Sequence, residues 1–173
     1  MYERFMNLIE KHKDQITKNI MKQLEERDEL KHYREISEDV AEDHISQVVR
    51  NVYVRLGNWL DKNKPKDTLF AYYSNLGEQR CKEGIPLDEG VILLLMIKRE
   101  IWNCIRDEVV GFSGFTLTQL LEINFYVNLF FDRIIYSSIK GYQNELGKIL
   151  EKASKEKTHI TNILSRYFDN ISF

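Results

Sequence analysis

Two prolines, two cysteines and eight glycines are all that 173 residues hold of the residues that break or staple a chain. So few forced breaks suit long helices and argue against a fold built on tight turns. The two cysteines, Cys81 and Cys104, lack the dense spacing of a disulfide scaffold, so reduced thiols in the cytoplasm are expected. Charge of one sign is missing too: 25 Lys and Arg against 27 Asp and Glu leave a formal net charge of -2. A nucleic-acid binder would show a basic stripe, and none is present. The longest unbroken apolar run, Val91–Ile97, is seven residues, far short of the roughly 20 that a membrane-spanning helix needs. The amino terminus, MYERFMNLIEKHKDQ, is charged from Glu3 onward, and no secretion signal is expected from it. What is there is a chain 43% apolar and 12% aromatic, enough to bury the core of one domain.

Apolar residues recur at helical spacing nearly throughout, with no sustained period-two strand. A first helix is predicted from about Tyr2 to Glu26, with Phe5, Ile9, Ile16, Ile20 and Leu24 on one stripe. The polar stretch ERDELKHYREIS reads as a loop or a weak turn of helix. Ser37 is a plausible N-cap, with Glu38 and Asp39 in the first turn where the helix dipole favours acids. Ala41, Ile45, Val48, Val52, Leu56 and Trp59 then share one face, and Lys62–Pro65 stops the helix. A third helix runs from near Asp67 to about Glu83, where Gly84 fits the left-handed C′ position. Pro86 opens the fourth, which extends to roughly Val110. Its VILLLMI run is apolar all round, which predicts burial on every side. Thr116 or Thr118 caps the last helix, whose start carries Phe125, Tyr126, Phe130, Phe131, Ile134, Ile135 and Tyr136. The expected class is all-α, a bundle of five to six helices with a long C-terminal helix.

The end of that helix changes character. A heptad places Ile139, Leu146, Ala153, Ile160 and Tyr167 at one position and Tyr142, Ile149, Glu156, Ile163 and Asn170 at the other. Eight of the ten are apolar or tyrosine, and the remaining faces are rich in Lys and Glu, as in a helix that pairs with another. Residues 1–145 are therefore read as one domain and 146–173 as a coiled-coil-like extension, with a homodimer as the expected assembly.

Chemistry is sparse. The glycines of LGEQRCKEGIPLDEG lack the GxxxxGK[ST] spacing and the preceding strand of a phosphate loop. Cys81, Cys104, His12, His32, His44 and His159 show no metal-ligand spacing, so no metal is expected. Haem is disfavoured as well: His44 leans toward the interior four residues from Val40 and from Val48, but no second histidine or CxxCH supports ligation. The pairs Glu25-Glu26, Glu38-Asp39, Glu42-Asp43 and Asp88-Glu89 look like solvated helix starts and faces rather than catalytic dyads. No Ser-His-Asp or Cys-His constellation stands out, and the chain is read as non-enzymatic. His159 in KEKTHITNIL is the alternative: a phosphoacceptor on a dimeric helix, although Ile160 and Thr161 follow it where an acidic and then a basic residue are usual.

One segment carries a family pattern. YYSNLGEQRCKEGIPLDEGVILLLMIKREIW resembles LG-x-x-R-x-x-x-GIPL-x-E-(apolar run)-R-x-x-W, matched here by Leu76, Gly77, Arg80, Gly84, Ile85, Pro86, Leu87, Glu89 and Trp102. That pattern belongs to the N-terminal domain of RsbRD-type RsbT co-antagonists, found also ahead of bacterial histidine kinases. Most members have Val or Ile after the glutamate, where this chain has Gly90. The resemblance implies a globin-like sensory fold without haem, in stress-response signalling through a kinase or anti-sigma-factor pathway. It also implies that signal leaves along the last helix. Related stand-alone sensors hold a fatty acid in an apolar tunnel, so an apolar ligand is expected here, with Arg80, His44, Trp102, Phe125 and Phe130 as candidate lining residues. Arg80 either anchors a carboxylate head group or pairs with Glu83 or Glu89. The chain ends at Phe173 with no output domain, which fits either a sensor acting alone or a fragment of a larger regulator.

Overall fold

The computed structural model describes residues 2–60, 67–112 and 115–169, with side-chain surroundings for 2–60, 70–106 and 115–162. Six α-helices and no strand occur among the described residues: α1 Tyr2–Glu26, α2 Lys31–Glu35, α3 Glu38–Leu60, α4 Asp67–Lys82, α5 Leu87–Phe112 and α6 Leu117–Asp169. A 3-10 turn, Asp28–Leu30, leads into α2. The all-α class and the long last helix are as the sequence predicts. The stop predicted at Lys62–Pro65 lies outside the described residues.

Local chemistry sets the helix ends. The α4–α5 corner is a Schellman motif: Gly84 takes φ 75, Ile85 N–H bonds Arg80 O at 3.0 Å and Gly84 N–H bonds Cys81 O at 3.2 Å. Gly90 N–H then bonds Pro86 O at 3.2 Å, so Pro86 opens α5 without wasting a donor. Thr116 starts α6 with a reciprocal capping box. Its Oγ1 accepts from Gln119 N–H at 3.2 Å, and Gln119 Oε1 accepts from Thr116 N–H at 3.0 Å.

The core forms where α1 packs on α3 and α5, and where α6 packs on α4 and α5. Phe5, Ile9, Ile16 and Ile20 of α1 meet Ile45, Val52 and Leu56 of α3, and Met96, Ile97 and Ile101 complete the layer from α5. Tyr73, Phe130 and Phe131 fill the α4–α6 side with rings at right angles, an arrangement that adds to their burial.

The burial of α5 departs from expectation. Leu93, Leu94, Met96 and Ile97 are buried, but Leu95 is 43% exposed and Val91 and Ile92 are half-buried. Leu95, Arg99, half-buried Trp102 and Arg106 recur at helical spacing along one open side. The neighbouring helices cover the rest of the circumference and leave that stripe to solvent.

A close crossing of α4 and α6 has no precedent in the sequence reading. A Cβ on Gly77 would stand 1.9 Å from Ser138 O, and one on Gly141 would stand 1.9 Å from Ser74 O. Each glycine lets the other helix's backbone reach where a methyl would sit. The same Ser-x-x-Gly occurs at 74–77 and at 138–141, and that repetition is the signal by which sequence alone reveals the crossing.

Candidate functional site

A cleft opens beside this crossing. Its walls are Tyr33 of α2, Val48 of α3, Leu76, Gly77 and Arg80 of α4, Ser138 and Tyr142 of α6, and Pro86 with the first two turns of α5. Its empty space, open mouth included, comes to about 410 Å³, of which about 30 Å³ is free cavity, room for only one or two waters. A wider hollow of about 290 Å³ lies on the other side of Tyr33, between Leu24, Ile36 and Ala41, with Glu25, Arg34 and Glu38 at its rim.

Arg80 projects from the last turn of α4 and is 7% exposed. Its Nη1 donates to Glu83 Oε2 at 2.5 Å and lies 3.5 Å from His44 Nε2. Of the two roles open to Arg80, the intramolecular pair with Glu83 is formed. Burial works against the Glu83 carboxylate, but hydrogen bonds from Arg80 and from Gln79, the latter at 2.8 Å, hold it below the usual range.

Glu89 corrects an expectation. It is no solvated helix start: it is 3% exposed and holds the beginning of α2. His32 N–H reaches both of its oxygens at 3.1 Å, Tyr33 N–H donates to Oε2 at 3.2 Å, and His32 Nδ1 lies 2.7 Å from Oε1. The carboxylate thus serves two backbone donors that the short helix cannot satisfy itself. Through them it pins Tyr33, 2% exposed, against the cleft. The stretch 28–35, read as a loop or a weak turn of helix, is a 3-10 turn and a short helix that carry buried Leu30 and Tyr33 into the core.

The five candidate ligand residues do not converge. Arg80 lines the cleft and half-buried His44 stands behind it. Phe130 is fully buried against Trp59, Tyr73 and Phe131, which leaves it no cavity to line. Trp102 sits at the open edge of α5. Phe125 is 61% exposed, on an outward stripe with Leu117 and Leu121, because Ile123, Val127 and Phe130 turn the opposite side of α6 into the core. Tyr33, Gly90 and Ser138 line the cleft instead, and none carried a pattern that periodicity detects.

His44 makes the site sensitive to acid. Burial first, and then the Arg80 charge, push its pKa below the ordinary value. A depressed histidine pKa means that the unfolded chain takes up protons first, so stability is full above about pH 6.5 and declines as pH falls below it. Melting curves between pH 7.5 and 5.5 should show wild type losing more stability than His44→Gln. Equal losses in the two proteins would remove His44 as the cause.

The described part of α6 beyond Glu145 leaves the bundle. Every side chain from 146 to 162 is exposed, including Leu146 at 41%, Ile149 at 43%, Leu150 at 61% and Ile160 at 57%. Ile139 and Tyr142 are half-buried on the bundle, and His159 is exposed far along the extension. The Ile163 side chain, the Tyr167 side chain and Asn170 lie outside the described residues.

The family described as the RsbT co-antagonist protein RsbRD N-terminal domain matches residues 14–156. The chain belongs to that family. No curated protein and no solved structure matches it. The RsbRD N-terminal family is a regulatory, non-catalytic one, and membership makes this a signalling-related sensor domain. The cleft gathers five of the residues that carry the family pattern, Leu76, Gly77, Arg80, Pro86 and Leu87. Gly90, where the pattern has Val or Ile, stands among them. Among the described residues no helix is long and apolar enough to cross a membrane, and no group of three or more His, Cys, Asp or Glu is placed to hold a metal ion.

Proposed function

We propose that the chain is a bacterial signal-sensing domain that homodimerises through α6 and takes an apolar small molecule in the cleft beside Arg80. Residues 1–145 are the sensing bundle and 146–173 the signalling extension, and no cofactor takes part. The observation that carries this reading is the exposed apolar series Leu146, Ile149 and Ile160 on a helix that has left its own core. A single helix without tertiary contacts is marginal in water, and a heptad with flanking Lys and Glu supplies the missing contacts by pairing with a copy of itself. Ligand entry parts α4 or α5 from α6, and the two arrangements of α6 then present different faces to an output partner in a kinase or anti-sigma-factor pathway. A ligand shifts that balance only by binding the two arrangements unequally.

Light scattering of the full chain at high concentration tests the pairing. A dimer is expected for wild type and a folded monomer for Leu146→Glu/Ile149→Glu, since like charges facing each other at the seam oppose association. A wild-type monomer, or a double variant that stays dimeric, overturns the role given to α6.

A further inference from the structure

We propose that the cleft accepts an uncharged amphiphile, a short alkyl chain ending in a hydroxyl or carbonyl oxygen, and that Gly90 is the residue that makes room for it. This rests on reading the cleft as the sensory site and names the chemistry of its occupant.

Two buried hydroxyls in the walls point to that head group. Ser138 Oγ is enclosed with no hydrogen-bond partner, and Tyr33 Oη, which Arg80 approaches as a donor, has no acceptor for its own proton, whereas neighbouring Ser137 Oγ satisfies itself on Arg133 O at 2.9 Å. The Tyr33 hydroxyl feels the Arg80 guanidinium, and burial keeps it protonated. A guanidinium has no acceptor to offer, so the phenol proton has nowhere to go within the protein. Buried donors left unmade are uncommon and costly. An uncharged oxygen that enters the cleft brings such a hydroxyl the partner it lacks.

Charge on the head group has no place here. Arg80 already donates to Glu83, and Glu89 is occupied by His32 and Tyr33. An incoming carboxylate would have to share the Arg80 guanidinium with Glu83, and an ammonium would have to take Glu89 from His32 and Tyr33. Either ion thus recovers less of its desolvation cost than an uncharged oxygen needs to. The rest of the lining is apolar, chiefly Leu76, Leu87, Val91 and Leu94, which suits an alkyl chain.

Gly90 supplies the space. It lies in the first turn of α5, where a Cβ would meet nothing within 4 Å, and its φ is not of the kind that demands glycine. A helical glycine without such a demand is destabilising relative to alanine. Exposed Gly147 also has open space around it, but half-buried Gly90 borders the cleft. What its missing side chain leaves is cleft volume, added to the room that opens as α4 or α5 parts from α6 to admit the alkyl chain.

Titration calorimetry of the full chain with 1-hexanol, hexanoate and hexylamine, equal in chain length, tests this. Hexanol is expected to bind at least about tenfold tighter than either ion, the scale of leaving one buried charge unpaired. Ser138→Ala should weaken hexanol by several-fold. Gly90→Val should abolish its binding while melting no lower than wild type, and Gly90→Ala, the milder filling, should weaken it. Preference for hexanoate or hexylamine overturns the uncharged head group and leaves the cleft as the site. Hexanol bound equally by wild type and both Gly90 variants, or no binding of any probe, overturns the cleft itself and leaves the two hydroxyls to water.

Discussion

Gly141→Ala, one added methyl, is expected to lower stability by more than about 3 kcal/mol, at or beyond the upper end of ordinary overpacking. For a chain of this size that is a fall of roughly 10 °C in melting temperature. The reason is what the methyl meets. Its nearest neighbours are Ser74 O at 1.9 Å, Ser74 C at 2.6 Å and Ser74 Cα at 2.9 Å, all backbone. No side chain can swing away, so α4 and α6 must separate along their whole contact and loosen Tyr73, Phe130 and Cys81 with it. Gly77→Ala should do the same from the other helix, against Ser138 O. Two controls keep the interpretation specific. Gly147→Ala, six residues along the same helix and in open space, should stabilise by up to about 1 kcal/mol through helix propensity. Gly57→Ala meets only the end of Met6, at 3.3 Å, a flexible chain that yields, so little change is expected. Thermal melts of the four variants decide the matter, and a mild effect at both Gly77 and Gly141 would mean that the crossing is looser than described.

Glu89→Ala carries the second large effect, a loss of about 2–4 kcal/mol from leaving buried backbone donors unmade. The side chain accepts from His32 N–H and Tyr33 N–H at 3.1 and 3.2 Å and meets His32 Nδ1 at 2.7 Å. Without it the start of α2 loses its cap and Tyr33 loses its fixed place between the two hollows. Glu89→Gln keeps one acceptor oxygen and should lose about half as much. Hydrogen exchange gives the local readout: amides in 28–36 should exchange much faster in the alanine variant while those of α3 keep their protection. A variant as stable as wild type, with 28–36 still protected, would remove Glu89 from its role as the clamp.

How far the sequence reached depends on the range of the interaction. The bounds of α1, the Gly84 corner, Pro86 at the head of α5 and the Thr116 cap were all legible, because each is decided by residues within one turn of chain. The exposed heptad positions Leu146, Ile149 and Ile160 were legible for the same reason, as period alone separates them from the charged faces. Glu89 was not. An acid in a first turn looks the same whether it faces water or a helix 57 residues upstream. Phe125 and Phe130 carry equal apolar weight five residues apart, and only the direction of the core, set by α4 and α5, sends one outward and the other in. Tyr33 lay hidden in a polar stretch whose single buried face is too short to show a period. The family pattern reached further than any of these, since Gly77, Arg80 and Pro86 lie together on the cleft although no local rule joins them.

The length of α6 has a mechanical consequence. At 1.5 Å per residue its 53 residues make a rod of roughly 80 Å. Glu145 and the crossing at Gly141 act as a fulcrum, with an arm on the order of 35 Å beyond them whose side chains are exposed from 146 to 162. A tilt of about 5° at the fulcrum, small enough to follow from a few atoms entering the cleft, swings the far end by about 3 Å, over half of a helical pitch of 5.4 Å. In the dimer proposed above, two such arms zipped together cannot absorb that displacement by side-chain adjustment alone. They must slide, twist or part, so a small change at the cleft becomes visible at the tip.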